Sequence, residues 1–412
     1  MKDASISLAD VLFALVSTLD LVGDDDGHGK RVAQMSYQVG KAFGLSDTDL
    51  DELFVAALLH DLGVSTNYVH AHLIKSMEWQ GVHEHCHIGA QLAERSSVLK
   101  YLSPYILHHH DRWPLLQSLV KKGELTEKQA LFANIILLVD RVDAFAWQEI
   151  SSKNYRHYHM ARDFSLQQIE ARWQAFFRED IYKAFLRACR ADIFWMMNDK
   201  QEVIEFVQER LQNVDRLITM AELQEMAVIF ANAVDAKSPF TYQHSIGVAS
   251  LSAYLGKQLG LSESKQQRIY LAGLLHDLGK LDMEDDVLEK QAPLDHQERQ
   301  KMNRHSFVSL MILRRIKGME DIALWASQHH EKLNGIGYPA RETDLPLESR
   351  ILAVADIVQA LAQDRPYRKG LSVEKILSIV DDMTAEGELD MQVVDCLHAN
   401  HQKAYQVALA EA

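Results

Sequence analysis

Apolar residues along this chain recur at steps of three and four. Leu53, Ala56, Ala57 and His60 follow that spacing, and so do Leu271, Leu274, Leu275 and Leu278. It is the spacing of a helix with one buried face. Few segments alternate with period two, so strands are not expected in number. In Ser7-Leu8-Ala9-Asp10 and Thr219-Met220-Ala221-Glu222 a hydroxyl residue is followed three positions later by an acid. That arrangement predicts a helix N-cap at each. The fold class expected is all-α.

The pattern is written twice. HGKRVAQMSYQVGKAFGLS from His28 lies over HSIGVASLSAYLGKQLGLS from His244, and ALLHDLG from Ala57 lies over GLLHDLG from Gly273, both 216 residues apart. His85 then pairs with His305, and His109-His110 with His329-His330, at an offset of 220; Asp140 and Asp356 return to 216. Chance would not restore the register at each polar landmark, so the chain reads as a duplicated domain. The expected organisation is a first domain over 1–200, a connecting helix over 201–218 and a second domain over 219–412. The segment after about Gln402 is expected to be a peripheral helix. Nothing Pro-rich or of low complexity separates the halves.

Composition narrows the function. The 412 residues are 47% hydrophobic and 25% charged, which suits a chain with a real core. A formal charge of −15 argues against binding duplex nucleic acid on a general basic face. Three cysteines, Cys86, Cys189 and Cys396, lie far apart without CxxC spacing, so neither a disulfide framework nor a thiolate zinc site is expected. The apolar stretch from Val11 to Val22 is broken by Asp20 and is too short to span a bilayer. The N-terminus lacks a signal-peptide pattern. A cytoplasmic protein without membrane contact is expected.

The twenty histidines change the picture. In the second half His244, His276-Asp277, His305, His329-His330 and Asp356 fall within or at the ends of apolar helical stretches. Imidazoles and carboxylates on a buried face are costly unless satisfied. One such histidine is ordinarily a hydrogen-bonded core residue. Five histidines and two aspartates recurring in both halves point instead to metal. Nitrogen and oxygen donors suit Mn, Fe, Ni or Zn. Seven side chains are too many for one ion, and an aspartate next to a histidine can bridge two. A pair of ions roughly 3.5–4 Å apart can activate water and clamp a phosphoryl oxygen.

These residues resemble the HD superfamily of metal-dependent phosphohydrolases. HDLGK (His276 to Lys280), HHEKLNGIGYP (His329 to Pro339), ILAVADIVQALAQDRPYR (Ile351 to Arg368) and SPFTYQHS (Ser238 to Ser245) are similar, in order and spacing, to the HD-GYP subfamily. The resemblance spans about residues 219–400. It implies two tandem HD-type domains and hydrolysis of a cyclic dinucleotide, cyclic di-GMP or 3',3'-cyclic GMP-AMP, within bacterial signalling. It implies two divalent transition-metal ions, Fe, Mn, Ni or Zn, on His244, His276, Asp277, His305, His329, His330 and Asp356, with Asp277 bridging. Lys280, Arg365 and Arg368 would face substrate phosphate, and Gly337, Tyr338 and Pro339 would form a substrate-binding loop. Phe240 and Gln359 stand where some members carry acids that support a third ion, which favours two ions. Protein partners in cyclic-dinucleotide signalling are also implied.

The first half keeps the matching set His28, His60, Asp61, His85, His109, His110 and Asp140, and adds Asp24 and Asp143. It lacks the rest. Val64 stands where Lys280 does, no GYP follows His109-His110, and no RPYR follows Asp140. A metal-binding HD domain with little or no catalysis, structural or regulatory, is expected there. His83, His87 and His108 read as bystanders. Two rival readings of the whole chain are a non-catalytic cyclic-dinucleotide receptor or signalling scaffold, and an HD nucleotidase acting on linear nucleotides. The intact Lys280 and GYP loop argue against the first, GYP and RPYR against the second.

Overall fold

The computed structural model describes residues 6–21, 27–64, 81–153, 158–196, 199–237, 242–288, 290, 292–364 and 369–409. The chain divides into two helical units, Ser7–Ile218 and Thr219–Ala412 together with Met1–Ile6. Among the described residues the only strands are the two-residue Ile6–Ser7 and Leu217–Ile218, which pair with each other.

Each unit repeats one set of helices. In the N-terminal unit His28–Phe43 packs against Asp47–Leu58, Glu127–Lys153 and Glu179–Ala188. Val82–Glu94 and Ser103–His108 pack on each other, and Ser103–His108 also packs on Glu127–Lys153. In the C-terminal unit Tyr242–Gln258 packs against Glu263–Leu275, Leu347–Ala362 and His401–Ala408, with His296–Leu313 and Glu320–Ser327 completing the set. The periodic positions are the buried ones. Leu53, Ala56 and Ala57, and Leu271, Leu274, Leu275 and Leu278, are all inaccessible or nearly so. Each buried leucine contributes about 1.5–3 kcal/mol relative to an exposed one.

The repeated Gly-Leu-Ser is a stop and a start. Gly44 and Gly260 adopt φ of +99° and +82°, the left-handed conformation that ends a helix and that favours glycine. The next residue turns back, with Leu45 N donating to the Gly40 carbonyl (3.1 Å) and Leu261 N to that of Gly256 (2.9 Å). The serine then caps the following helix, its Oγ accepting from Asp49 N in one copy and from Lys265 N in the other. Both expected N-caps are present as well. Ser7 Oγ accepts from Asp10 N, and Thr219 and Glu222 exchange hydrogen bonds as a capping box.

Two segments differ from expectation. The stretch read as a connecting helix clusters with the N-terminal unit, where Lys200–Leu211 packs on His28–Phe43 and on Leu8–Leu19. Val203, Val207 and Leu211 supply its buried stripe. The last helix, His401–Ala408, is not peripheral. It packs on the helices that carry His244 and Asp356, with Ala404 and Ala408 fully buried. A short apolar face at three- to four-residue spacing looks alike in sequence whether it covers a core or an edge.

Candidate metal centres

The HDLG turn is where the site begins. His60 and His276 follow the helices Asp47–Leu58 and Glu263–Leu275, on the face that is already buried. The chain then turns tightly, with Val64 N bonded to the Asp61 carbonyl and Lys280 N to that of Asp277, both at 2.9 Å. The turn presses on the next helix. A Cβ on Gly63 would lie 2.0 Å from the His85 carbonyl oxygen, and one on Gly279 would lie 2.0 Å from that of His305. Only glycine fits this approach, and it carries each aspartate in among the histidines.

All seven C-terminal candidates converge. Asp277 Oδ2 faces His244 Nε2 at 3.7 Å and His276 Nε2 at 3.3 Å. Asp277 Oδ1 faces His305 Nε2 at 3.3 Å and His329 Nε2 at 3.9 Å. Asp356 Oδ1 lies 3.2 Å from His244 Nε2 and 3.8 Å from His276 Nε2. His330 joins His305 and His329 in one cluster of donor atoms. One carboxylate therefore offers each of its oxygens to a different group of imidazoles.

The N-terminal candidates repeat this. Asp61 Oδ2 lies 3.7 Å from His28 Nε2 and 3.4 Å from His60 Nε2, while its Oδ1 lies 3.3 Å from His85 Nε2 and 3.7 Å from His109 Nε2. Asp140 Oδ1 lies 3.2 Å from His28 Nε2, and Asp140 Oδ2 lies 4.0 Å from His110 Nε2.

The rings are oriented from behind. Nδ1 of His276, His305 and His329 donates to the carbonyls of Gly273, Met302 and Ala326, each three residues back. His60 and His109 do the same with Ala57 and Ile106. A carbonyl only accepts, so Nδ1 carries a proton and Nε2 is the nitrogen turned inward, a lone-pair donor whenever the ring is neutral. Those lone pairs meet carboxylate oxygens and one another, with His305 and His329 Nε2 only 3.3 Å apart. His276 Nε2, Asp277 Oδ1, His60 Nε2 and Asp61 Oδ1 are buried without hydrogen-bond partners. Acceptors converging on acceptors in a dry interior repel unless cations lie between them. The donor sets fit divalent ions for that reason, and the carbonyl tethers are the support that metal-ligating histidines need.

Titration divides the histidines: burial pulls His28 and His276 down, but the facing Asp140 and Asp143, and Asp277, outweigh it and raise both. Burial brings His305 down to about 4 and His330 down to about 3, so each ring is neutral at neutral pH and keeps one bare nitrogen. Burial pushes the Asp277 carboxyl up, but the facing charges of His276 and Lys280 outweigh it and hold it well below the usual range. In the first half, burial would raise the Cys86 thiol, yet His109, His83 and His85 together bring it down to about 4.

Around the C-terminal cluster stand residues of other kinds. Lys280 Nζ reaches Asp277 Oδ2 at 2.5 Å. Tyr338 N donates to the His330 carbonyl, and the Tyr338 ring lies 4.7 Å from that of His330. Gly337 is buried and Pro339 exposed beside it. Arg365, Arg368, Phe240 and Asp24 lie outside the described residues.

Sequence reading missed several supports. Gln359 was read only as the loss of an acid; its Oε1 accepts from His244 Nδ1 at 2.6 Å, while its Nε2 faces the Gln243 and Ala408 carbonyls. Glu331 is buried, and its Oε1 accepts from Ala340 N and Arg341 N, pinning the chain just past Pro339. Asp143, which the sequence sets beside the N-terminal candidates, accepts from Arg31 Nε and Nη2 and from His28 Nδ1, a bracing role that the sequence does not reveal. Cys86, dismissed on spacing, sits inside the N-terminal cluster. Of the bystanders, His108 bonds Asp111 at 2.7 Å and His87 is exposed.

Two tandem HD domains define the class, since HD-domain models match residues 26–144 and 228–393. Over 99% of its length the chain is 32% identical to 3'3'-cGAMP-specific phosphodiesterase 1 of Vibrio cholerae, of which it covers 95%. Over 37% of its length it is 33% identical to a cyclic di-GMP phosphodiesterase of Pseudomonas aeruginosa, covering 37% of that protein. The crystal structure of a cyclic GMP-AMP specific phosphodiesterase of V. cholerae, V-cGAP3, shares the fold, with a TM-score of 0.64 and 23% identity over 97% of this chain and 98% of that one. The chain belongs to the HD-GYP family of cyclic-dinucleotide phosphodiesterases, with two HD domains. HD domains are metal-dependent. Among the described residues no helix is long and apolar enough to cross a membrane.

Proposed function

We propose that the chain hydrolyses 3',3'-cyclic GMP-AMP to the linear dinucleotide in its C-terminal unit, and that the N-terminal unit is structural or regulatory. One observation carries the division of labour. Both units assemble the seven-residue cluster, but among the described residues only the C-terminal one sets a lysine and a GYP loop beside it. The full-length likeness to a 3'3'-cGAMP-specific phosphodiesterase supports the substrate.

His244, His276 and Asp356 would hold one ion, and His305, His329 and His330 a second, with Asp277 spanning the two. Such ions, when bound, lower the pKa of a water and polarise a phosphoryl oxygen. The chain supplies the remainder. The carbonyl tethers and Gln359 fix ring tautomer and direction, so no reorientation is needed as charge develops. Lys280, which pairs with Asp277, would pair with a non-bridging phosphate oxygen while the 3'-oxygen leaves. Arg365 and Arg368 would add planar, bidentate cations to the same phosphate. The Tyr338 ring offers a face on which a base can stack.

The test is turnover of 3',3'-cyclic GMP-AMP and cyclic di-GMP side by side by the full chain with Mn²⁺ or Fe²⁺, with products chromatographed. The linear GMP-AMP dinucleotide is expected to dominate, and His276→Ala is expected to yield none. Tight binding of either ligand without product would overturn the enzyme reading in favour of a receptor. Preferential cleavage of cyclic di-GMP would overturn the substrate.

A further inference from the structure

The two clusters differ by one donor. Cys86 follows His85 in the helix Val82–Glu94, where Ser306 follows His305 in the other copy. Cys86 is completely buried, and its thiol reaches the Val82 carbonyl at 3.4 Å. Its Sγ lies 3.6 Å from His85 Nε2 and 4.0 Å from His109 Nε2, and those two nitrogens are 3.1 Å apart. His110 belongs to the same group, whose four donor atoms all lie within 4.8 Å of one another.

These lengths have a chemical meaning. Around a tetrahedral ion with bonds of about 2.0–2.3 Å, an N···N edge measures about 3.4 Å and an S···N edge about 3.6 Å. The observed edges scatter around those values without the chain having to move far. The His109 ring is fixed by its Nδ1 bond to Ile106, which leaves Nε2 as a lone pair, and His85 Nδ1 is buried with no partner. At the corresponding corner of the C-terminal cluster Ser306 Oγ lies 3.3 Å from His305 Nε2, and a neutral hydroxyl is a poor ligand there. A soft thiolate with imidazoles selects zinc, while imidazole and carboxylate alone accept several metals.

We propose that His85, Cys86, His109 and His110 form a thiolate-bearing zinc site in the N-terminal unit, chemically distinct from the nitrogen-and-oxygen centre of the C-terminal unit. With Cys86 in place of Asp61 Oδ1, which also faces His85 and His109 at 3.3 and 3.7 Å, four protein donors make a closed site, the form zinc takes when it holds structure together. The site stands independently of which substrate the C-terminal unit cleaves.

The test uses the full chain loaded with Co²⁺ as a spectroscopic stand-in. Wild type is expected to give a near-ultraviolet thiolate-to-cobalt charge-transfer band, retained in Ser306→Ala and lost in Cys86→Ser. As purified, wild type should keep a zinc equivalent through dialysis against a weak chelator, and Cys86→Ser should lose it. A cobalt protein without the band, or a band unchanged in Cys86→Ser, would overturn the proposal. Should Cys86→Ser fail to fold, X-ray absorption at the zinc edge of wild type decides. A sulfur neighbour at about 2.3 Å supports the site, and a shell of nitrogen and oxygen alone refutes it.

Discussion

The matched donor-atom distances in the two halves of this chain agree to about 0.2 Å. His28 to Asp140 and His244 to Asp356 are both 3.2 Å, and His85 to Asp61 and His305 to Asp277 are both 3.3 Å. What separates them is the surround. Lys280 covers Asp277, whose side chain is 3% exposed, while Val64 leaves Asp61 at 18%. Duplication has kept the geometry that binds ions and changed the residues that would meet a phosphate. On the proposed division of labour, metal binding and catalysis are separable properties of one fold.

The sharpest way to break this comparison is to remove matched residues. Asp277→Ala or His276→Ala should abolish hydrolysis with the circular dichroism spectrum kept, and Asp61→Ala should leave turnover near wild type. Loss of activity in Asp61→Ala would erase the distinction between the units. Next, Lys280→Ala should lower kcat by about 100- to 1000-fold, the scale of losing one charge-stabilising donor. Metal content should hold, as elemental analysis would record; a parallel loss of metal would make Lys280 a brace for Asp277. Gly279→Ala and Gly63→Ala should each lower Tm, because overpacking against a backbone carbonyl costs about 1–3 kcal/mol or more. Similar losses in both would mean that the HDLG turn does the same structural work in each unit. Smallest, Glu331→Ala should raise KM several-fold more than it lowers kcat, since it frees the chain after Pro339 and leaves the clustered histidines untouched. An unchanged KM in steady-state kinetics would detach that loop from substrate.

Most of the architecture could be read from letters alone because it is local. Glycine, leucine and serine at a helix junction, a hydroxyl three before an acid, and apolar residues at helical spacing all act within a turn or two. The seven polar positions per half were legible because they recur in register. The supports were not. Gln359 braces His244 from more than a hundred positions away, and a glutamine in place of an acid looked like a loss rather than a different hydrogen bond. Glu331 stood inside a recognised motif with no sign of which backbone amides it would hold. Cys86 had no thiol neighbour in sequence, so spacing rules discounted it; its partners are imidazoles that the fold brings in from His109-His110. Lys200–Leu211 and His401–Ala408 read in sequence as a connector and a peripheral helix because a short apolar stripe does not say what it will cover.

The closing helix has a practical side. Ala408 offers its carbonyl to the Gln359 amide, and a Cβ on Gly247 would lie 2.4 Å from that same oxygen. The helix thus acts as a backstop for the ring of His244, although it holds none of the clustered groups itself. Trimming the polypeptide ahead of His401 would then silence the molecule as surely as deleting a ligand, and the injury would be mistaken for a chemical one.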